Sequence, residues 1–130
     1  MILALSYVKL QDAYVSESNK VGSWKLIGYV APGAKKAEEE GSTTNFAYKA
    51  GNPDVDGDAS DITSFKTATK VWGAANIVAL NECEIQEKTA GLDDAHWSIS
   101  ITANSNGNSV TYTAATTCTQ LTPTFANIGK

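Results

Sequence analysis

Arginine is absent from this chain, and all ten of its positive charges are lysines. The planar guanidinium fork is therefore missing, and with it bidentate clamping of phosphate or carboxylate. The net charge of −4 points the same way, because nucleic-acid binding rests on basic clusters that neutralise phosphates. Histidine occurs once, at His96, so multi-histidine metal sites are excluded and histidine-based catalysis has a single candidate. No apolar run approaches the roughly 18–20 residues a membrane-spanning helix needs. The opening Met1-Ile-Leu-Ala-Leu-Ser6 is too short for a signal peptide and has no basic n-region; a secreted protein would carry its targeting segment ahead of these residues. Cysteine occurs only twice, as Cys83 and Cys118.

What is present is ordinary for one domain. The 130 residues, 42% of them hydrophobic, suffice for a core of real size and are too few for two. Residues 3–18 read as an amphipathic helix. Leu3, Tyr7, Leu10 and Tyr14 recur at helical spacing, Val8 and Val15 widen the stripe, and Lys9, Gln11, Asp12, Ser16 and Glu17 fall mostly on the other side. Asn19–Gly22 suits its end. Trp24–Val30 reads as a short strand or buried extended segment, broken by Ala31-Pro-Gly33. The charged stretch 34–44 reads as an exposed loop, and 51–64 as a polar one.

Strands are expected at Asn45–Ala50, at Lys70–Ala79 with an interruption at Gly73, and in the alternating stretch Ile77–Ile85. The cleanest is the run where Trp97, Ile99 and Ile101 alternate with Ser98, Ser100 and Thr102. It pairs through the turn-rich Asn104–Asn108 with Val110, Tyr112 and Ala114, which alternate with threonine. One helix followed by about four antiparallel strands implies an α+β fold, the helix laid across one sheet face. Cys83 and Cys118 flank the last predicted hairpin. That placement fits a disulfide closing a loop over the end of the sheet and an oxidising, extracytoplasmic compartment; two reduced, buried thiols are the alternative.

This order resembles the globular part of type IV pilins and the related pseudopilins. The resemblance rests on the helix around Leu10-Gln-Asp-Ala-Tyr14 and the segment Thr44-Asn-Phe-Ala-Tyr48. It rests further on Ala79-Leu-Asn-Glu-Cys83, Trp97-Ser-Ile-Ser-Ile101 and the ending Cys118-Thr-Gln-Leu-Thr-Pro123. It covers nearly the whole chain and is one of architecture. It implies a non-enzymatic subunit, exported across the inner membrane, that builds an extracellular pilus or pseudopilus from copies of itself and contributes to adhesion. The family's leader, processing site and about two dozen apolar residues are not in this sequence, and on the resemblance Met1–Leu5 would be the stub of that apolar helix. On the same resemblance, membrane contact and filament assembly would run through that segment. Leu3, Leu5, Tyr7 and Leu10 would lie where the helix leaves the domain. Residues 31–45 would match the family's variable loop, and Cys83–Cys118 would bound a C-terminal disulfide-bounded region.

Three groups of residues suggest chemistry of their own. Asp54, Asp56, Asp58 and Asp61 cluster hard oxygen ligands suited to Ca²⁺. The Asp-x-Asp-x-Asp opening looks like an EF-hand loop, but Gly57 precedes the third Asp and Phe65 stands where the closing glutamate belongs. The plain alternative is an Asx-turn-rich surface loop. His96 has Asp93 and Asp94 nearby to orient it as a base, yet no serine stands in a nucleophile elbow, so a surface histidine at the start of a strand is the simpler reading. Among Trp24, Trp72 and Trp97, the second stands beside Gly73 and would be the one exposed to stack on a sugar ring. That carries the rival function, a secreted carbohydrate-binding β-rich domain whose partner is a surface polysaccharide.

Closing a loop of about 35 residues stabilises a fold by roughly 3–4 kcal/mol in the chain-entropy model. Peptide mapping without reductant, on protein from its native compartment, is expected to recover Cys83 and Cys118 as one linked pair. Two free thiols would weaken the compartment and the family reading together.

Overall fold

The computed structural model describes residues 2–79, 84–85, 95–105, 108–118 and 125, the first two by backbone alone. Helix α1 spans Ile2–Ser18. Ala4, Tyr7, Val8, Gln11 and Val15 are buried on one side of it, at the spacings of three and four that share a helix face. Asn19 stops it. Its φ is 61°, and its N–H donates to the Val15 carbonyl at 2.9 Å, a left-handed cap that asparagine tolerates. Gln11, expected on the solvent side, is fully buried. Its Nε2 donates to Tyr7 Oη at 3.0 Å and to Gly22 O at 2.8 Å, and its Oε1 accepts from Gly22 N–H at 2.9 Å. A buried amide is costly only while unpaired. This one is paired three times and clasps α1 to the chain beyond it.

The expected strand at Trp24–Val30 is a helical turn, α2, spanning Trp24–Ile27. Both ends are capped: Ser23 Oγ accepts from Leu26 N–H at 3.3 Å, and Gly28 takes φ 76°. Capping decides against the strand, because it satisfies the orphan groups of so short a helix. Trp24 and Ile27 turn inward while Leu26 stays exposed. The loop after α2 closes on itself at Gly33 and Gly41. A Cβ on either would run into the opposing backbone, at Ser42 O and Pro32 O respectively.

The strands are β1 (Lys20–Val21), β2 (Phe46–Ala50), β3 (Ser60–Asp61), β4 (Thr69–Asn76), β5 (Trp97–Ala103) and β6 (Val110–Thr116). They form two antiparallel sheets: β1 with β3, and a four-stranded sheet in the order β2-β4-β5-β6. The fold is therefore mostly β, which corrects the α+β arrangement with a C-terminal disulfide-bounded region. The small sheet arises from the stretch read as a polar loop. Val21 pairs with Ser60 and Lys20 with Asp61, contacts 39 and 41 residues apart in the chain that local pattern does not carry, and a 3-10 turn at Ile62–Phe65 then buries Ile62 and Phe65. No disulfide joins two described residues, since Cys83 lies outside them.

Two strand expectations also change. Gly73 does not interrupt β4; it pairs with Lys49 on one side and Ser98 on the other, and the irregularity is a register shift between Lys70 and Trp72. The stretch Ile77–Ile85 is no strand at its described residues, 77–79 and 84–85. The inward face of the large sheet carries Tyr48, Trp72, Ala74, Trp97, Ile99, Ile101, Tyr112 and Ala114, all buried in the core with Tyr7, Trp24 and Tyr29. Trp24 Nε1 donates to Val71 O at 3.3 Å, Trp72 Nε1 to Tyr29 Oη at 3.0 Å, and Tyr112 Oη to Asp12 at 3.4 Å.

Burial pushes the Tyr29 phenol up to about 12. Burial likewise raises Tyr7, Tyr48 and Tyr112, the last with the Asp12 carboxylate adding to it. Such groups hold their protons more tightly folded than unfolded. Their stabilisation is complete below the unfolded value of about 10 and is lost as pH rises past it. The urea midpoint is expected to be flat from these groups below about pH 10 and to fall steadily toward about 12. A midpoint unchanged across that window would contradict the burial of these hydroxyls.

Candidate functional site

Two surfaces stand out. The first is the side of α1 turned away from the core. Leu5 is 41% exposed and Leu10 is 38% exposed, which places Leu10 outside the buried stripe the sequence assigned it to. Ser6, Lys9, Ala13 and Ser16 are exposed with them. At 100° per residue, Leu5 and Leu10 flank this outward face. Tyr7, grouped with them by sequence, is a core residue at 1% exposure. The Leu3 side chain lies outside the described residues. The outward side of the first half of α1 is thus mixed, with Ser6 and Lys9 between two exposed leucines. Among the described residues, no helix is long and apolar enough to cross a membrane.

The second surface is the outward face of the large sheet. Register places Lys70 and Ser100 opposite each other, and Ser98 opposite Gly73 and Ala115. Small side chains here leave a cavity of about 260 Å³, lined by Lys70, Ala95, His96, Ser98, Ala115 and Thr117, with Thr116 beside them. His96 is held from behind by Asn76, which is fully buried. The Asn76 Nδ2 donates to Val78 O and Glu84 O, each at 2.9 Å. Its Oδ1 is therefore the acceptor that meets His96 Nδ1 at 2.7 Å. Nδ1 must carry the proton, and in the neutral ring Nε2 is the acceptor nitrogen. The Thr117 N–H donates to the His96 carbonyl at 3.0 Å, which fixes the backbone on both sides of the cavity mouth.

Ser98 lies in that cavity with 7% of its surface exposed. Among the described residues its hydroxyl has no hydrogen-bond partner. Among the described residues no fully buried side-chain polar atom is left unpaired, so the Ser98 hydroxyl keeps its access to the cavity. Neither Ser98 nor Lys70 stands out in the sequence as a site residue. The alternation of His96, Ser98 and Ser100 was visible, but Lys70 reaches them only through the β4–β5 register.

The other expected site residues are not drawn together. Asp54, Asp56 and Asp58 are exposed, and Asp61 pairs with Lys20 at 3.6 Å. Among the described residues, no three acidic, histidine or cysteine groups converge on a point that would hold a metal. Trp72, expected at the surface for sugar stacking, is completely buried and bonded to Tyr29. Trp24 and Trp97 are buried too, so no tryptophan offers a stacking face. The acidic run 38–40 is structural. Glu38 bridges Lys36 at 3.2 Å and Lys25 at 3.4 Å, and Glu40 accepts from the Ala50 N–H at 2.6 Å. Those lysines hold the Glu38 carboxyl below its ordinary value. Cys118 is buried and carries no free thiol; Cys83 lies outside the described residues.

No family model, curated protein or solved structure matches this chain.

Replacing Trp72 with Phe leaves the Tyr29 hydroxyl unpaired and a gap beside it. The expected loss is about 2–4 kcal/mol in denaturant unfolding, with migration through polysaccharide-containing gels unchanged. Altered migration by the folded variant would return Trp72 to the surface.

Proposed function

We propose that this chain is a structural, non-enzymatic subunit of an extracellular filament of the type IV pilus or pseudopilus kind, assembling with copies of itself along α1. The observation that carries the reading is the outward side of α1, where Leu5 and Leu10 stay 41% and 38% exposed. Leucines left in water on a helix already docked to its own core cost about 25 cal/mol for each Å² of apolar area not buried. Packing against a neighbouring copy would recover that area. The core supports the same role. The Gln11 clasp and the inward Tyr7 hold α1 to the rest of the fold, so its outward side is a fixed surface for contact. An oxidising compartment outside the inner membrane agrees with the absence of a free thiol at Cys118.

The test uses the full reading frame in its native host. The double substitution Leu5→Glu with Leu10→Glu is expected to leave a folded subunit of unchanged melting temperature while abolishing its recovery in sheared extracellular filaments. Unaltered filament yield from that variant refutes assembly along α1. A reading frame with no long apolar segment ahead of Met1 refutes the pilin reading as a whole.

A further inference from the structure

The two edges of the large sheet are finished differently. At the β2 edge the chain itself meets the outward main-chain groups. Phe46 O accepts from the Thr43 N–H and the Tyr48 N–H donates to Gly41 O, each at 2.8 Å, and the Ala50 N–H donates to the Glu40 carboxylate at 2.6 Å. At the β6 edge no such strap is found among the described residues. Bonds beyond both ends of the β5–β6 ladder fix which groups of β6 point outward. The Asn104 N–H donates to Ser109 O and the Thr117 N–H to His96 O, and the register between them is unbroken. Ser109, Thr111, Thr113, Ala115 and Thr117 therefore spend their main-chain groups on β5. An antiparallel ladder alternates, so Val110, Tyr112 and Ala114 turn theirs away. Apart from the Tyr112 hydroxyl on Asp12, these three residues have no further hydrogen-bond partner among the described residues.

Sheets guard such an edge with a lysine, a proline or a bulge. The stretch 109–117, Ser-Val-Thr-Tyr-Thr-Ala-Ala-Thr-Thr, has no charge, no proline and no glycine. We propose that β6 is where two copies of this chain pair, antiparallel across a twofold axis, joining their large sheets edge to edge. The strand is matched to its own copy position by position. With the axis at Tyr112, that residue exchanges both main-chain bonds with its counterpart, and Val110 faces Ala114 of the second copy. On the solvent side the exposed Thr111 and Thr113 then stand opposite each other across the strands, twice over, and cross-strand threonine pairs are favourable. Thr111 Oγ1 already donates to Asn104 at 2.5 Å, which leaves it to accept from Thr113 of the second copy. An uncharged strand meets no like-charge repulsion from its own copy and offers no charge to select a foreign peptide. This contact is separate from the outward side of α1 and does not rest on the filament reading.

The experiment follows amide hydrogen exchange by NMR from micromolar to millimolar protein. The Tyr112 and Ala114 amides are expected to slow severalfold as concentration rises. The double substitution Thr111→Lys with Thr113→Lys sets lysine opposite lysine twice. It is expected to weaken the dimer about tenfold in sedimentation equilibrium, with the fold checked by near-ultraviolet circular dichroism. Thr111→Glu with Thr113→Glu is expected to be as weak alone, and an equimolar mixture of the two variants to regain the dimer, because each lysine then faces a glutamate. Leu5→Glu with Leu10→Glu is expected to dimerise like the unaltered chain. Exchange that is independent of concentration overturns the proposal. So does a dimer that the lysine pair leaves unchanged, or one that only the leucine pair abolishes, which would move the contact to α1.

Discussion

Strand β4 is the constraint on which the other parts depend. Every residue from Val71 to Asn76 is buried, so this strand is covered on both faces and paired on both edges, by β2 and β5. From it run the bonds that place the remaining elements. The Val71 carbonyl receives Trp24 Nε1 and so seats α2. The Trp72 indole reaches Tyr29. The Asn76 amide ties the chain at Val78, Glu84 and His96 to the end of the strand. A strand buried on both faces has no solvent to satisfy its polar groups, so each must find a protein partner. Those obligatory partners are what make the surrounding loops definite.

The aromatic residues show why burial and function separate here. A tryptophan or tyrosine brings a large apolar body and one polar atom. Inside this core each such atom has been given a partner: Trp72 with Tyr29, Tyr7 with Gln11, Tyr112 with Asp12. Tyr7, Trp24 and Tyr29 meet edge-on or tilted, with ring centroids 4.9–6.5 Å apart, the favoured geometry for ring pairs. The rings that would have made a sugar-stacking platform are thereby spent on holding α1 and α2 to the sheet. What remains for contact is of another kind: leucines on the outward side of α1, and a small-residue cavity with polar groups on the opposite face of the sheet.

The parts legible in the sequence were those with a strong local period. The alternation of Trp97, Ile99 and Ile101 with serine and threonine describes β5, whose register with β6 runs unbroken from Trp97–Thr116 to Ala103–Val110. The helical stripe through Tyr7, Val8 and Val15 describes α1. Short apolar runs were not legible. Trp24–Val30 has no period long enough to separate one helical turn from a strand, and the caps at Ser23 and Gly28 settled it. Nor does composition say that Gln11 lies inside and Leu10 outside. Hydropathy ranks them the other way, and only three bonds made by a buried amide reverse the order.

The amino-acid sequence alone carries the periods, the turns and the limits on chemistry: no guanidinium fork, one imidazole, two cysteines. Those depend on residue type and on neighbours a few positions away. The tertiary structure alone decided which polar residues are buried, that Lys20–Val21 and Ser60–Asp61 form a second sheet, and that Lys70, His96 and Ser98 share one cavity. Each of those depends on strand register, and register is a relation between distant segments that no local pattern encodes.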